Sequence, residues 1–116
     1  MFNGTILANK VKTITLDKFI EKNNISKMDI LKIDIEGNEL YALKGGINGI
    51  KRFRPIIFCE INPELNKKAG YSGKELYNFI VQELRYESKI LIGNQFKRIS
   101  ILEATSGQHN IFFFPL

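Results

Sequence analysis

Residues 31–39 read Leu-Lys-Ile-Asp-Ile-Glu-Gly-Asn-Glu, and this stretch decides the fold expected for the chain. It completes an isoleucine-rich run, Met28 to Ile35, which is typical of a strand buried on both faces. Asp34 and Glu36 stand where that strand leaves the sheet. The residues that follow predict a helix, because apolar side chains recur there at helical spacing: Leu40, Leu43, Ile47 and Ile50.

Strands and helices alternate on both sides of this stretch. Before it, Val11 to Ile14 alternates apolar and polar residues and predicts a short strand, after which Thr15 can cap a helix that ends near Asn23. After it, Gly45-Gly46 weakens or ends the helix, and Ile56 to Cys59 predicts a second buried strand, which finishes at Glu60.

The last third of the chain predicts one more helix and a strand-rich tail. A polar loop from Asn62 closes at a capping box, Ser72 to Glu75, and the helix that starts there is expected to run to about Tyr86. The predicted strands of the tail are Lys89 to Ile92, Phe96 to Leu102 and Asn110 to Phe114. This order predicts an α/β fold with a mainly parallel sheet and right-handed crossovers, in a single domain over residues 1–116.

Bulk composition indicates a soluble globular domain. Hydrophobic residues make up 44% and charged residues 25% of the 116 residues, far from the profile of a disordered chain. The net charge of +5 comes mostly from scattered lysines, so we expect no continuous basic surface of the kind that binds nucleic acid. The single cysteine, Cys59, lies in an apolar run, so we expect it to be buried as a small hydrophobic residue. A single free thiol is consistent with a reducing compartment. A cytoplasmic protein that spans no membrane is therefore expected.

Three carboxylates are candidate site residues: Asp34, Glu36 and Glu60. In an open parallel sheet, ligands bind beyond the carboxyl ends of the strands, and neighbouring strands would bring these three together. Such a cluster can hold a divalent cation, orient a substrate hydroxyl or act as a general base. The alternative is that Asp34 caps the following helix and that Glu36 and Glu39 stabilise its positive end, and for Glu39 this structural role is favoured.

Several pieces of the sequence, in the right order, resemble the FkbM type of methyltransferase. Residues 31–40 are similar to the family's Lys-Ile-Asp-Val-Glu-Gly-Ala-Glu motif. Residues 15–17 resemble its Thr-Leu-Asp, residues 43–46 its Leu-Lys-Gly-Ala, and residues 55–60 its strand that ends in glutamate. Several ordered pieces are a stronger signal than any one short match.

The resemblance implies a Rossmann-like sheet in which the motif strand is the fourth of seven and Glu60 ends the fifth. It also implies that the tail strands pair antiparallel at the end of the sheet. Members of the family transfer a methyl group from S-adenosylmethionine, commonly to a hydroxyl of a glycan or metabolite. On this analogy Asp34, Glu36 and Glu60 line the transfer site, the partner is a small-molecule or glycan hydroxyl, and no metal is assigned.

The sequence departs from the family in one respect. It has no Gly-x-Gly turn behind a strand and no acidic residue placed to bind the ribose, so the cofactor-binding residues stay unknown. This predicts a C-terminal part of a methyltransferase domain: a truncated product, a fragment or one piece of a split enzyme. Its partner would be the missing N-terminal half or a second copy of the chain.

Two other functions compete with a methyltransferase. The first is a non-catalytic α/β remnant or subunit that associates with another chain through the sheet edge left by missing strands. The second is a basic nucleic-acid-binding module, for which binding should fall steeply with salt.

Overall fold

The computed structural model describes residues 10–116, which form one five-stranded sheet and its helices. The strands are β1 (Ile30–Ile33), β2 (Ile56–Ile61), β3 (Tyr86–Ile92), β4 (Gln95–Arg98) and β5 (His109–Pro115). The helices are α1 (Leu16–Lys22), α2 (Glu39–Lys44), α3 (Ile47–Phe53), α4 (Pro63–Lys68), α5 (Gly73–Asn78), which continues into a π-helical turn (Phe79–Glu83), and α6 (Ile101–Ala104).

The sheet is mixed, so the prediction of a mainly parallel sheet is wrong. Its order is β1-β2-β5-β3-β4, and only β1 and β2 pair in parallel. The reason is that β5 inserts between β2 and β3 and runs antiparallel to both. Thus β2 and β3 run in the same direction but do not pair, because β5 lies between them. The predicted antiparallel pairing of the tail strands is confirmed.

One face of the sheet forms the core with the helices. Alternate residues of β2 and β5 are fully buried on this face, as the period of two in a strand requires: Ile57, Cys59, Ile61, Ile111 and Phe113. They pack in one cluster with helix residues that include Leu43, Ile50, Leu76 and Ile80. The opposite face carries aromatic rings that contact one another, and Phe58 and Phe112 have ring centroids 4.3 Å apart.

The motif strand is shorter and more exposed than the sequence predicts. We expected a strand over Met28 to Ile35 that is buried on both faces, but β1 covers only four residues and only Ile33 of them is buried. The cause is its position, because β1 is the edge strand of the described sheet and Ile30 is 65% exposed. Within the described sheet, β2 is the one strand that pairs with β1.

Three further local predictions are wrong. Val11 to Ile14 forms no strand among the described residues. The stretch after Asn62 is helix α4 and not a polar loop, because the Asn62 side chain caps the Leu65 amide and proline occupies the first helical turn. The strand expected over Phe96 to Leu102 ends at Arg98, and Ser100 caps the short helix α6.

Local capping signals in the sequence are confirmed. Thr15 accepts a hydrogen bond from the Lys18 amide at the start of α1, and Ser72 accepts one from the Glu75 amide at the start of α5. Gly45-Gly46 separates α2 from α3, as the sequence suggested. Among the described residues, no helix has the length and apolar character needed to cross a membrane.

Candidate active site

The site begins at the acidic turn, residues 34–38, which links β1 to α2. Glu36 and Gly37 both have positive φ, 56° and 101°, so the chain reverses direction within two residues. Residues with a Cβ rarely adopt a φ as large as 101°, which explains why glycine occupies position 37. The Asp34 and Glu36 side chains are exposed at the carboxyl end of β1, where the sequence placed them.

Glu39 holds this turn from beneath. Its side chain is 1% exposed, and Oε2 accepts hydrogen bonds from the amides of Ile35 at 2.9 Å and Gly37 at 3.3 Å. The structural role favoured for Glu39 is thus observed, although its partners are the turn amides that precede the helix it begins. The residue at the N-cap of α2 is Asn38, so Asp34 does not cap this helix.

Tyr71 holds the same turn from a distant part of the chain. Its hydroxyl donates to the Gly37 carbonyl and accepts from the Leu40 amide and from Nδ2 of Asn66, each at 3.2 Å. Burial raises the pKa of the Tyr71 hydroxyl above its ordinary value, so the group stays a neutral donor. No local sequence signal pointed to this role, because the two ends of the contact are 34 residues apart.

Glu60 stands at the carboxyl end of β2 and is half-buried. The antiparallel register that pairs Ile61 with His109 brings the loop before β5 alongside it. Gln108 in that loop donates from Nε2 to Oε2 of Glu60 at 2.6 Å. One carboxylate oxygen of Glu60 is therefore held in a fixed direction by a residue that the sequence reasoning missed.

The parallel pairing of β1 with β2 brings carboxylates from both strands to one edge. Ile33 is opposite Cys59, so Asp34 and Glu60 are the next residues along two neighbouring strands. Burial raises the pKa of the Cys59 thiol far above its ordinary value, and the charges of Glu39, Glu60 and Asp34 raise it further. The buried Cys59 thiol therefore stays protonated at neutral pH.

The carboxylates do not form a metal site. Across residues 10–116, no three side chains of the types His, Cys, Asp or Glu are close enough together to hold a metal ion. Cation binding, one of the uses considered for the strand-end carboxylates, is not supported by this arrangement. Orientation or deprotonation of a substrate hydroxyl needs only one carboxylate and stays open.

A polar pocket opens beside Glu60. It has a volume of ≈ 390 Å³ and lies between the start of α4 and the loop before β5. Its lining residues are Asn62, Pro63, Glu64, Thr105, Ser106, Gly107 and Gln108. A second, more apolar groove of ≈ 460 Å³ runs along the outer edge of β1 and includes Phe19, Leu31 and Tyr41.

The comparison with protein families extends over nearly the whole chain. Residues 6–113 match the model of the methyltransferase FkbM domain, which includes the acidic turn, Glu60 and the tail strands. The chain belongs to the FkbM methyltransferase domain family. The motif pieces that resemble the family lie within residues 15–60, so the match to residues 6–113 extends the assignment to the C-terminal half of the chain.

A curated relative of this FkbM domain also bears a methyltransferase name. The hexuronic acid methyltransferase AglP of Haloferax volcanii is 36% identical over 58 residues, which is 50% of this chain and 24% of the relative. The chain thus spans about a quarter of the length of that relative, counted over the matched residues. No solved structure matches the chain.

Proposed function

We propose that this FkbM domain takes part in methyl transfer from S-adenosylmethionine to a hydroxyl oxygen of a glycan or metabolite. The observation that carries the proposal is the placement of Asp34, Glu36 and Glu60 at the carboxyl ends of the only parallel strand pair in the described sheet. This is the edge at which α/β sheets bind their ligands. Family membership supports the class of reaction.

A carboxylate at this edge has a definite chemical task. A hydroxyl oxygen attacks a methyl group more readily as its proton is removed, and a positioned base contributes about 10²- to 10⁴-fold to such a step. Asp34 and Glu36 are exposed and free to meet a substrate, whereas Glu60 is half-buried and oriented by Gln108. In the proposal, one of these groups accepts the hydroxyl proton and the others orient the acceptor.

The described residues lack the glycine-rich turn with free backbone amides that would form the main binding site for the cofactor. A cradle of this kind offers free backbone amides at a glycine-rich turn behind a strand. In the acidic turn, Glu39 occupies the amides of Ile35 and Gly37, and Tyr71 occupies the Gly37 carbonyl. The amides of Ile35 and Gly37 are therefore already bonded within the protein, and we derive no catalytic step from the cofactor's position.

We predict that the 116-residue chain alone does not bind S-adenosylmethionine with useful affinity. The reason is the internal use of the turn amides and the absence from the sequence of a Gly-x-Gly turn. Calorimetric titration of the purified chain is the measurement. Micromolar binding would contradict the prediction and would mean that the cofactor site lies elsewhere on these residues.

The direct test of the proposed function is a methyl-transfer assay. The chain is supplied with the N-terminal half of an FkbM domain, by fusion or co-expression, and incubated with labelled S-adenosylmethionine and hydroxylated acceptors. Label in a methyl ether would support the proposal. Label in a methyl ester, from transfer to a carboxylate oxygen, or on nitrogen would overturn the proposal that the acceptor is a hydroxyl oxygen.

A second candidate is association through the edge of β1. In the described sheet β1 pairs only with β2, and the groove along its outer side exposes apolar side chains that include Ile14, Phe19 and Ile35. An unpaired apolar edge of this kind is a template for another strand. The occupant would be an N-terminal half of the domain or a second copy of the chain.

We predict that the isolated chain forms a dimer or larger species through this edge. Ile30→Lys should shift the population toward monomer, because Ile30 is 65% exposed and the added charge costs little in the monomer. Sedimentation velocity over a range of concentrations measures the shift. The matched control is Leu102→Lys in α6, a position that is 69% exposed and does not belong to β1. A compact monomer at high concentration would count against association.

A further inference from the structure

The polar pocket beside Glu60 is built from two connections that only the tertiary fold brings together. Asn62 and Glu64 come from the start of α4, and Thr105, Ser106 and Gln108 come from the loop before β5. Its volume of ≈ 390 Å³ lies in the range of small-molecule sites, about 300–1,000 Å³. It lies at the same carboxyl edge of the sheet as the candidate catalytic carboxylates.

The chemistry of the lining indicates what such a pocket can bind. The Thr105 and Ser106 hydroxyls donate to the carbonyls of Ile101 and Glu103, so toward a ligand they accept hydrogen bonds, as the Glu64 carboxylate does. Donors come from the side-chain amides of Asn62 and Gln108, since an amide NH2 has two protons and Gln108 uses one of them for Glu60. A sugar presents the matching donors and acceptors in its hydroxyls. The lining contains no aromatic side chain, which a flat phenolic acceptor would need for stacking. A compound rich in hydroxyl groups is therefore the better fit.

The charge of the lining residues indicates whether the bound compound is charged or neutral. Glu64 lines the pocket and Glu60 is joined to it through Gln108, whereas no lysine, arginine or histidine is among the lining residues. A carboxylate on the ligand would meet one like charge in the lining, that of Glu64, with Glu60 behind Gln108 and no cation among the lining residues. An uncharged sugar meets no such repulsion.

We propose that this pocket is the acceptor subsite of the domain and that it selects a neutral sugar over a hexuronic acid. The inference rests on the proposed function and adds the substrate class to it. It separates this chain from its Haloferax volcanii relative, whose name gives hexuronic acid as the compound methylated. Gln108 connects the two parts of the proposed site, since it lines the subsite and donates a hydrogen bond to Glu60.

The test is a binding experiment on the chain itself, with two probes that differ in one group. Methyl β-glucoside and methyl β-glucuronoside are titrated into the isotope-labelled 116-residue chain at constant ionic strength, and amide shifts are followed by NMR. We expect the glucoside to shift the signals of residues 105–108. The glucuronoside should bind at least roughly fivefold more weakly, as expected for one like charge at close range in a wet site.

Charge variants separate this cause from others. Glu64→Lys should bring glucuronoside binding to the level of the glucoside or above it. Glu83→Lys makes the same charge change at an exposed position that does not line the pocket, and it should leave the ratio unchanged. Absence of shifts at residues 105–108 with both probes, or equal binding of both to the unmodified chain, would overturn the inference. Because the readout is binding, failure of the methyl-transfer assay is a separate result.

Discussion

Gly37→Ala should lower the free energy of unfolding by about 3 kcal/mol or more, since it adds backbone strain to a steric clash. Gly37 has φ +101°, and a Cβ built there would lie 2.6 Å from the Leu65 carbonyl oxygen and 2.9 Å from its carbon. Both atoms belong to the backbone of α4, so the clash cannot be relieved by a side-chain rotation. Urea-induced unfolding followed by circular dichroism measures the loss.

Two other glycines of this chain serve as matched controls that separate backbone strain from the steric clash of an added Cβ. Gly93 has φ +59° and no atom within 4 Å of an added Cβ, so Gly93→Ala should show the strain alone, about 1 kcal/mol. Gly107 has open space as well and needs no positive φ, so its alanine variant should be near neutral. If Gly37→Ala cost no more than Gly93→Ala, close packing of the acidic turn on α4 would be wrong.

The same substitution connects stability to the proposed site. A shift of the chain at Gly37 would disturb the bonds from Glu39 and Tyr71 and would move Glu36, its neighbour. Methyl transfer should therefore fall more than the loss of folded protein explains. That excess is measured at a temperature where the variant is still folded.

The second large effect is expected at the carboxylates. Asp34→Asn, Glu36→Gln and Glu60→Gln are nearly isosteric, and the variant that removes the general base should lose about 10²- to 10⁴-fold in methyl transfer. Asp34 and Glu36 are exposed, so their variants should keep the free energy of unfolding within about 0.5 kcal/mol. Loss of activity without loss of stability is the expected signature of a functional group.

The control for this series is Asp29→Asn. Asp29 is an exposed acidic residue at the opposite end of β1, and its ion pair with Lys27 at 3.6 Å is a surface contact. The Asp29→Asn substitution should leave both methyl transfer and the free energy of unfolding unchanged. Retained activity in the Asp34 and Glu36 variants would remove both from the catalytic residues and leave Glu60. Retained activity in all three variants would show that no strand-end carboxylate serves as the base.

The sequence predicted the location of the candidate site better than its construction. Asp34, Glu36 and Glu60 could be placed at strand ends, because each directly follows an apolar run. Tyr71 and Gln108 could not be found, since their partners are 34 and 48 residues away along the chain. A hydroxyl or amide side chain gives no signal of a contact that depends on how distant segments pack.

What the sequence by itself determined is local or carried by the family motif. The helix caps at Thr15 and Ser72 were correct because each bonds to an amide three residues on, within reach of local chain geometry. The motif of residues 31–40 indicated the family together with its flanking pieces, because all of them occur in the family's order.

The tertiary structure alone decided strand order and exposure. Hydrophobic runs predict strands but not their neighbours, so they did not predict that β5 inserts between β2 and β3. The antiparallel pairing of the tail strands was implied only by the family resemblance. Likewise, the apolar run of β1 suggested a buried strand, although β1 lies at the edge. The hydrophobicity of a side chain sets its tendency to be buried, but its actual burial depends on which strands lie beside it and on which elements cover them.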